Sequence, residues 1–371
     1  MRILVCADWH AGARTWGVDR LEETISALSQ MYEAARDFKV DALFVLGDIF
    51  HSFRYPGEEV VMPIANFFSS VLSLPWKPTV YLLKGNHDWN GIKIWELFQS
   101  DGRFVFVDEV TYANIGDFLI FLLPYLRKHD CPKEEELDEF LKSCWKGAPK
   151  ANMRLCFAHM AVEDTVPNLS ELTLSKDVLK DLEIDLTICG HIHRHGRVSE
   201  ETLPIYYAGS PLRLDFSEEG HCTGLYIIDE KGNIEDIPIN SKELITLRYD
   251  DEEEAFKSLS TSSQLIPRDA YLRVIVNRSS LPISQLLDKC RNLGGEQIVV
   301  VAVNEGMISE ISSPQDPFDI IRLWKHYIES QEENESTLLI LKKIGEKLLS
   351  GKDPSTMWNE IKSYFEAGER Y

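Results

Sequence analysis

At 371 residues the chain is too long for one ordinary domain and fits two or three. A hydrophobic share of 44% with 10% aromatics excludes a disordered tail, and no stretch reaches the roughly 18 consecutive apolar residues of a membrane helix. A formal net charge of −21 excludes a protein that coats nucleic acid by charge alone, so any such contact must rest on local basic patches, bound metal ions or a partner.

In chain order, apolar runs of strand length occupy residues 2–7, 41–47, 79–84, 118–123, 153–158, 184–189 and 223–228. Between the first two, residues 19–38 predict a helix whose Leu21, Ile25, Leu28, Tyr32 and Ala35 would pack one face on a sheet. Strands alternating with helices predict an α/β domain over residues 1–240. Residues 241–306 form a different pattern: strand (244–249), helix (252–259), strand (271–276), helix (282–291) and strand (297–303). This small α/β cap unit holds no cluster of catalytic residue types. Residues 315–371 predict a helical segment, with amphipathic stretches at 317–329, 336–349 and 354–366. Three short helices bury little among themselves, so they read as a docking element or as a cap on their own chain. The acidic runs Glu134–Glu136, Asp250–Glu254 and Glu332–Glu335 read as solvated faces or loops.

Six of the ten histidines fall in five clusters, each after an apolar run. Asp8-Trp9-His10 follows ILVCA. Residues i and i+2 of an extended strand end point the same way, so carboxylate and imidazole can share one metal. Gly47-Asp48-Ile49-Phe50-His51 follows ALFVL, Gly85-Asn86-His87-Asp88 follows VYLL, His159 follows RLCFA, and Gly190-His191-Ile192-His193 follows LTIC. Groups at the ends of neighbouring strands converge in the crevice outside that edge of the sheet. Asp8, His10, Asp48, Asn86, His159, His191 and His193 are thus seven candidate ligands. They exceed what one ion needs and suffice for two divalent ions if a carboxylate bridges, Asp48 being the natural bridge. Nitrogen and oxygen donors without thiolate favour manganese, iron or zinc over a cysteine-type structural zinc. Two such ions about 3.5–4 Å apart clamp a phosphate and activate water. A lone DxH or GNH is a weak signal; five clusters in one order are not.

DWH, GDIFH, GNHD, the isolated His159 and GHIH resemble the five signatures of the metallophosphoesterase (calcineurin-like) superfamily, across residues 1–240. The resemblance implies a sandwich of two mixed sheets flanked by helices, with a dinuclear site at its edge. It implies Asp8, His10, Asp48 and His193 at one metal, and Asp48, Asn86, His159 and His191 at the other. His87 would be no ligand but the group that contacts the phosphate or protonates the leaving oxygen. Ala158 departs from the pattern, a glycine often preceding the fourth-motif histidine. Within the superfamily, ADWH, GDIFHSFRYP and YAGSPLRLDFSEEG (207–220) resemble the SbcD-type DNA repair nucleases. That likeness implies His51 placing the substrate phosphate beside His87, manganese as the metal, and exonuclease action on duplex ends with endonuclease action on single strands and hairpins. It further implies a homodimer through helices of the first domain, and an SbcC-type coiled-coil ABC ATPase bound by the C-terminal helices.

Seven cysteines form no CxxC pair, and Cys6, Cys156 and Cys189 lie in apolar runs as small hydrophobes, a usage that suits a reducing compartment. A cytoplasmic, nucleoid-associated protein without a membrane segment is the resulting expectation. Arg194, His195 and Arg197 follow GHIH and read as contacts to nucleic-acid phosphates, ordinary surface charge being the plainer account. Trp9, Trp16 and Trp89 flank the motifs and could stack on bases, though core packing is the commoner fate of tryptophan. Gly209-Ser210-Pro211 reads as a turn, and no poised serine or cysteine argues for a covalent mechanism. The alternative is an enzyme of small phosphodiesters or phosphomonoesters, which fits the acidic surface but gives His51 and the C-terminal helices no role. A non-catalytic scaffold on the same fold would have lost ligands, and none of the seven is missing.

Overall fold

A strand covered on both faces needs apolar residues at every position, and the longest apolar runs of this sequence become such strands. The computed structural model describes residues 1–52, 56–88, 95, 98, 102–127, 134–166, 171–198, 203–262 and 269–303. The helices predicted over 317–366, the end of the cap unit at 304–306, and Trp89 lie outside the described residues.

The first sheet contains β1 (Arg2–Cys6), β4 (Ala42–Val45), β5 (Thr79–Leu83) and β6 (Phe104–Val107) in parallel, with β13 (Gly224–Asp229) antiparallel beside β1 and β14 (Ile234–Pro238) antiparallel beside β13. Its order is β14-β13-β1-β4-β5-β6. The second contains β8 (Phe118–Leu123), β9 (Met153–His159), β10 (Leu186–Gly190) and β12 (Ile205–Tyr207) in parallel, edged antiparallel by β7 (Thr111–Ile115) and β11 (Gly196–Arg197). Its order is β11-β12-β10-β9-β8-β7. A short ribbon, β2 (Arg14–Thr15) with β3 (Val18–Asp19), precedes the first helix.

Alternation along each strand explains the layers. Ile3, Val5, Phe44 and Leu46 of the first sheet meet Ile120, Leu122, Leu155, Phe157, Leu186 and Ile188 of the second in a shared interior. The intervening Leu4, Cys6, Leu43 and Val45 point outward under α1 (Leu21–Asp37) and α2 (Glu58–Leu72). On the other side Leu119, Phe121, Cys156, Ala158 and Cys189 lie under α3 (Glu134–Cys144) and α4 (Lys176–Asp181). Each valine, leucine, isoleucine or phenylalanine among them contributes about 1.5–3 kcal/mol by leaving water. The α1 face differs from the predicted one: Thr24, Ala27, Leu28, Met31, Ala34 and Ala35 are buried, while Ile25 is exposed. Small residues let the helix sit close to the sheet, and the branched Ile25 is left at the rim.

Residues 243–303 form β15 (Glu243–Asp251), α5 (Glu252–Ser262), β16 (Ala270–Arg278), α6 (Ile283–Gly294) and β17 (Ile298–Val303), a parallel sheet in chain order. Its core is Ala255, Leu259, Leu272, Val274, Leu286, Cys290, Ile298 and Val301. A second apolar cluster, Phe216, Leu244, Tyr271 and Val299 with Trp16 and Val18, joins it to the sandwich. Beside that cluster Arg20 is fully buried and holds Glu23 through two hydrogen bonds of 2.7 and 2.9 Å. Among the described residues no helix is long and apolar enough to cross a membrane, and Cys6, Cys144, Cys156, Cys189, Cys222 and Cys290 are free thiols.

Candidate metal centre

The parallel strands β1, β4 and β5 of one sheet and β9 and β10 of the other all end at one edge. Asp8 and His10 follow β1, Asp48 follows β4, Asn86 and His87 follow β5, His159 ends β9, and His191 and His193 follow β10. Four of the seven candidate ligands therefore hang from the first sheet and three from the second. Left-handed backbone at Asp8 (φ 53°), His10 (φ 45°), Asp48 (φ 53°) and His191 (φ 80°) turns the chain sharply at these strand ends. Each such non-glycine conformation costs about 1–2 kcal/mol, which the surrounding structure sustains. The Asp8 and His10 amides donate to the Gly47 and Asp48 carbonyls, both at 3.0 Å, joining the first two loops. Gly47 and Gly85 permit this crowding: a Cβ at Gly47 would stand 2.5 Å from His159 Nδ1, and one at Gly85 would strike the Asp48 carboxylate.

The donor atoms converge. His10 Nε2 lies 2.9 Å from His193 Nε2 and 3.6 Å from Asp48 Oδ2. Asn86 Oδ1 lies 2.9 Å from His159 Nε2 and 3.0 Å from His191 Nδ1, and His159 Nε2 lies 3.5 Å from Asp48 Oδ1. The two oxygens of Asp48 thus face the two halves of the cluster. Donors that each bind a shared ion at about 2.1 Å stand roughly 3–4 Å apart, which is the spacing here. The groups Asp8–His10–His193 and Asp8–Asp48–His159 each bring their ligand atoms within 4.8 Å of one another, and so does His10–Asp48–His87. No cysteine joins these groups among the described residues, so the donor set is the nitrogen and oxygen one that divalent manganese, iron or zinc accepts.

Most of the imidazoles are oriented from behind. His159 Nδ1 donates to the Leu46 carbonyl at 2.5 Å, leaving Nε2 toward the cluster. His193 Nδ1 lies 2.7 Å from Glu218 Oε1, and His191 Nε2 lies 2.9 Å from Glu171 Oε2. Such outer carboxylates and carbonyls fix the tautomer that offers its other nitrogen to a cation. Among the described residues His10 Nδ1 has no such partner. Asp88 is buried and its carboxylate accepts the backbone N–H groups of Asp48 (2.7 Å), Ile49 (2.9 Å), Phe50 (3.3 Å) and Gly85 (3.0 Å), tying the second and third loops together.

Protonation follows from burial and mutual charge. Burial raises the Asp8 carboxyl, an effect only partly offset by His159 and His193. Burial would raise Asp48 too, but His159, His10 and His87 outweigh it and hold the carboxyl well below its ordinary value. Burial lowers His10 far below the usual imidazole range, and His193 adds to that. His159 is lowered by burial yet carried up to about 9 by Asp48 and Asp8; His193 also reaches about 9, through Glu218. Protons at these two rings balance the buried carboxylates in the place a cation would.

His51 and His87 stand at the mouth, their rings 5.9 Å apart, with His87 Nδ1 2.8 Å from the His51 carbonyl. Of the predicted phosphate contacts, Arg194 and Arg197 are exposed, Arg197 lying over the Tyr206 ring. His195 corrects the sequence reading. It is buried, its Nδ1 is 2.6 Å from the Ala208 carbonyl, its Nε2 is 3.0 Å from Asp236, and its ring stacks on Tyr226. A ring held on both nitrogens and one face does not reach a ligand outside. Trp9 is core, packed on Phe67 and Phe68, and Trp16 packs on Phe216 and Tyr271. Ser210 is buried in a turn whose Gly209 has φ +67°, so it serves the backbone. Sequence reasoning missed Glu218, Asp88, Glu171 and Tyr125, the last with its ring 5.8 Å from His191. Asp88 and Glu218 lay inside quoted motifs; Glu171 and Tyr125 carry no local signal.

Residues 1–195 match the family described as calcineurin-like phosphoesterase. Among solved structures, TT1561 of Thermus thermophilus is 13% identical over 64% of this chain and 99% of its own, with a TM-score of 0.44. A protein described as a novel archaeal phosphodiesterase is 15% identical over 64% of this chain and 99% of its own, with a TM-score of 0.36. Purple acid phosphatase PPD1 from yellow lupin (Lupinus luteus) seeds is 15% identical over 64% of this chain and 52% of its own, with a TM-score of 0.41.

Proposed function

The chain belongs to the calcineurin-like phosphoesterases, and on that premise we propose that it is a manganese-dependent DNA repair nuclease of the SbcD type. Metal-dependent phosphoester hydrolysis is the family's chemistry. The observation that carries the finer reading is the His51–His87 pair standing at the mouth of the ligand cluster. One histidine suffices to assist a leaving oxygen; a second beside it suits a phosphodiester held on both sides of the scissile bond.

Asp8, His10, Asp48 and His193 would hold one ion, and Asp48, Asn86, His159 and His191 the other. When bound, the two ions supply a positively charged clamp for the phosphate and an activated water. The protein's own part is positional. The His87 amide donates to Asp48 Oδ1 at 2.8 Å and the His87 Nδ1–H is taken by the His51 carbonyl. The ring is thereby fixed with Nε2 as the atom that passes a proton to the departing oxygen. His51, exposed beside it, steadies a non-bridging oxygen. With the chain at net −21, DNA is held by the ions, these histidines, Arg194, Arg197 and a partner rather than by overall charge. In this reading the chain is a homodimer, and residues 315–371 carry a coiled-coil ABC ATPase that controls access.

The test is digestion of end-labelled linear duplex DNA with manganese, with EDTA and His87→Ala as controls. Shortening that disappears in both controls supports the nuclease. Turnover of a chromogenic phosphodiester without any DNA cleavage, with the ATPase present, replaces it by a small-substrate phosphodiesterase.

A further inference from the structure

Glu218 and Glu219 are neighbours in one short turn, yet they serve different bodies. The 3-10 turn Phe216–Glu218 is capped by Asp215, which accepts the Ser217 N–H at 2.8 Å. Glu218 is buried; Oε1 holds His193 Nδ1 at 2.7 Å and Oε2 accepts the Leu214 N–H at 2.6 Å. Glu219 turns the other way. It accepts the Thr246 N–H at 2.8 Å and the Thr246 hydroxyl, both on β15, and lies 3.9 Å from Arg273 on β16. Phe216 packs under the Arg273 guanidinium at 4.7 Å and against Trp16 at 4.7 Å. The three-stranded sheet and a candidate metal ligand are therefore fastened to the same four residues.

We infer that Glu219 is a positioning residue for the metal centre: the seating of β15 on Glu219 sets, through Glu218, how His193 presents Nε2. The inference rests on His193 being a ligand. Its physical basis is that Glu218 has no slack. A His193 that offers Nε2 must keep its proton on Nδ1, which needs Oε1 in place, while Oε2 is committed to Leu214. Displacing the turn lengthens one bond or the other. Linkage runs both ways, so a cation at His193 also tightens the seat of β15.

The experiment measures manganese affinity by equilibrium dialysis on the full chain. Glu218→Gln weakens one site by about 10–100-fold, as loss of an orienting outer carboxylate does. Glu219→Ala and Thr246→Val weaken that same site by about 5-fold or more, the low end of ordinary coupling between sites. Glu219→Gln, which keeps an acceptor for the Thr246 N–H, recovers most of the affinity, and Glu218→Gln/Glu219→Ala is no weaker than Glu218→Gln alone. In the wild type, manganese slows amide exchange across 243–251. Wild-type affinity in Glu219→Ala and Thr246→Val overturns the inference, even if their melting temperatures fall, because lower stability with intact affinity is what a purely structural role predicts. Unchanged exchange across β15 overturns it without the variants. Unchanged affinity in Glu218→Gln overturns the link from the turn to the centre, whereas unchanged affinity in His193→Ala removes His193 from the ligand set and takes the proposed metal chemistry there with it.

Discussion

Arg20→Met probes the contact between the sandwich and the cap sheet at a residue that is not itself a candidate ligand. The guanidinium is fully buried: Nε and Nη2 reach the two Glu23 oxygens at 2.7 and 2.9 Å, Nη1 donates to Thr15 Oγ1 at 2.9 Å, and Nη2 donates to the Arg213 carbonyl at 3.0 Å. It also lies 4.7 Å over the Tyr271 ring of β16, whose hydroxyl donates to Glu23 at 2.7 Å. Methionine fills the stem's volume but leaves Glu23 as a mostly buried carboxylate without its cation. Removing one partner of such a pair costs about 3–5 kcal/mol. Arg20→Met/Glu23→Leu removes both charges, and the chief remaining damage is the stranded Thr15 hydroxyl, Arg213 carbonyl and Tyr271 hydroxyl, so its loss is smaller, about 1–3 kcal/mol. The assay is urea unfolding followed by tryptophan fluorescence, Trp16 lying 5.7 Å from the same guanidinium. The measurement is made in EDTA throughout, so that bound metal adds nothing to the loss. A loss below about 1 kcal/mol in the single variant, or a double variant less stable than the single, would refute the buried-pair reasoning.

Other outcomes follow from the centre itself. His87→Ala should retain both ions by elemental analysis and lose turnover by about 100-fold or more, the share of a positioned acid; retained turnover in a metal-loaded variant removes that role. Asp48→Ala should lose both ions, since its two oxygens face both halves of the cluster, and two ions still bound would refute the bridge. Gly85→Ala should impair metal binding as severely as a ligand change, because the new Cβ displaces the Asp48 carboxylate; normal manganese stoichiometry would contradict the crowding. His159 and His193, held at about 9 in the metal-free protein, must surrender protons to bind a cation, so affinity should rise with pH until about 9 and then level. Calorimetry in buffers of different ionisation enthalpy measures the released protons, and none released at neutral pH would contradict those protonation states.

Much of the frame was legible because doubly covered strands are apolar throughout. ILVC, ALFV and LTIC announce themselves without periodicity. The edge strands do not: β14, with sequence IEDIP and several exposed positions, shows no apolar run, and β7 (TYANI) has only Ala113 buried. The face of α1 was misassigned at Ile25 because spacing marks an apolar stripe but not how closely the helix approaches its sheet. All seven candidate ligands meet, since strand order brings their loops together. What local pattern could not reveal was direction. His195 follows the GHIH signature by two residues, yet its ring turns inward to Ala208 and Asp236. Glu171 comes from a segment with no motif, and only the fold places it on His191.

The division of the ligands, four from one sheet and three from the other, makes the centre a vernier for the interior of the sandwich. A slide of one sheet over the other by a fraction of an ångström leaves every strand intact, yet it changes each cross-sheet spacing, such as His10 to His193 and Asn86 to His159, together. Side chains of the shared layer such as Phe44 and Phe157, whose rings meet at 4.8 Å between the sheets, thereby act as its adjusting screws. Neutral-looking repacking there would be read first in metal affinity, before any loss of fold.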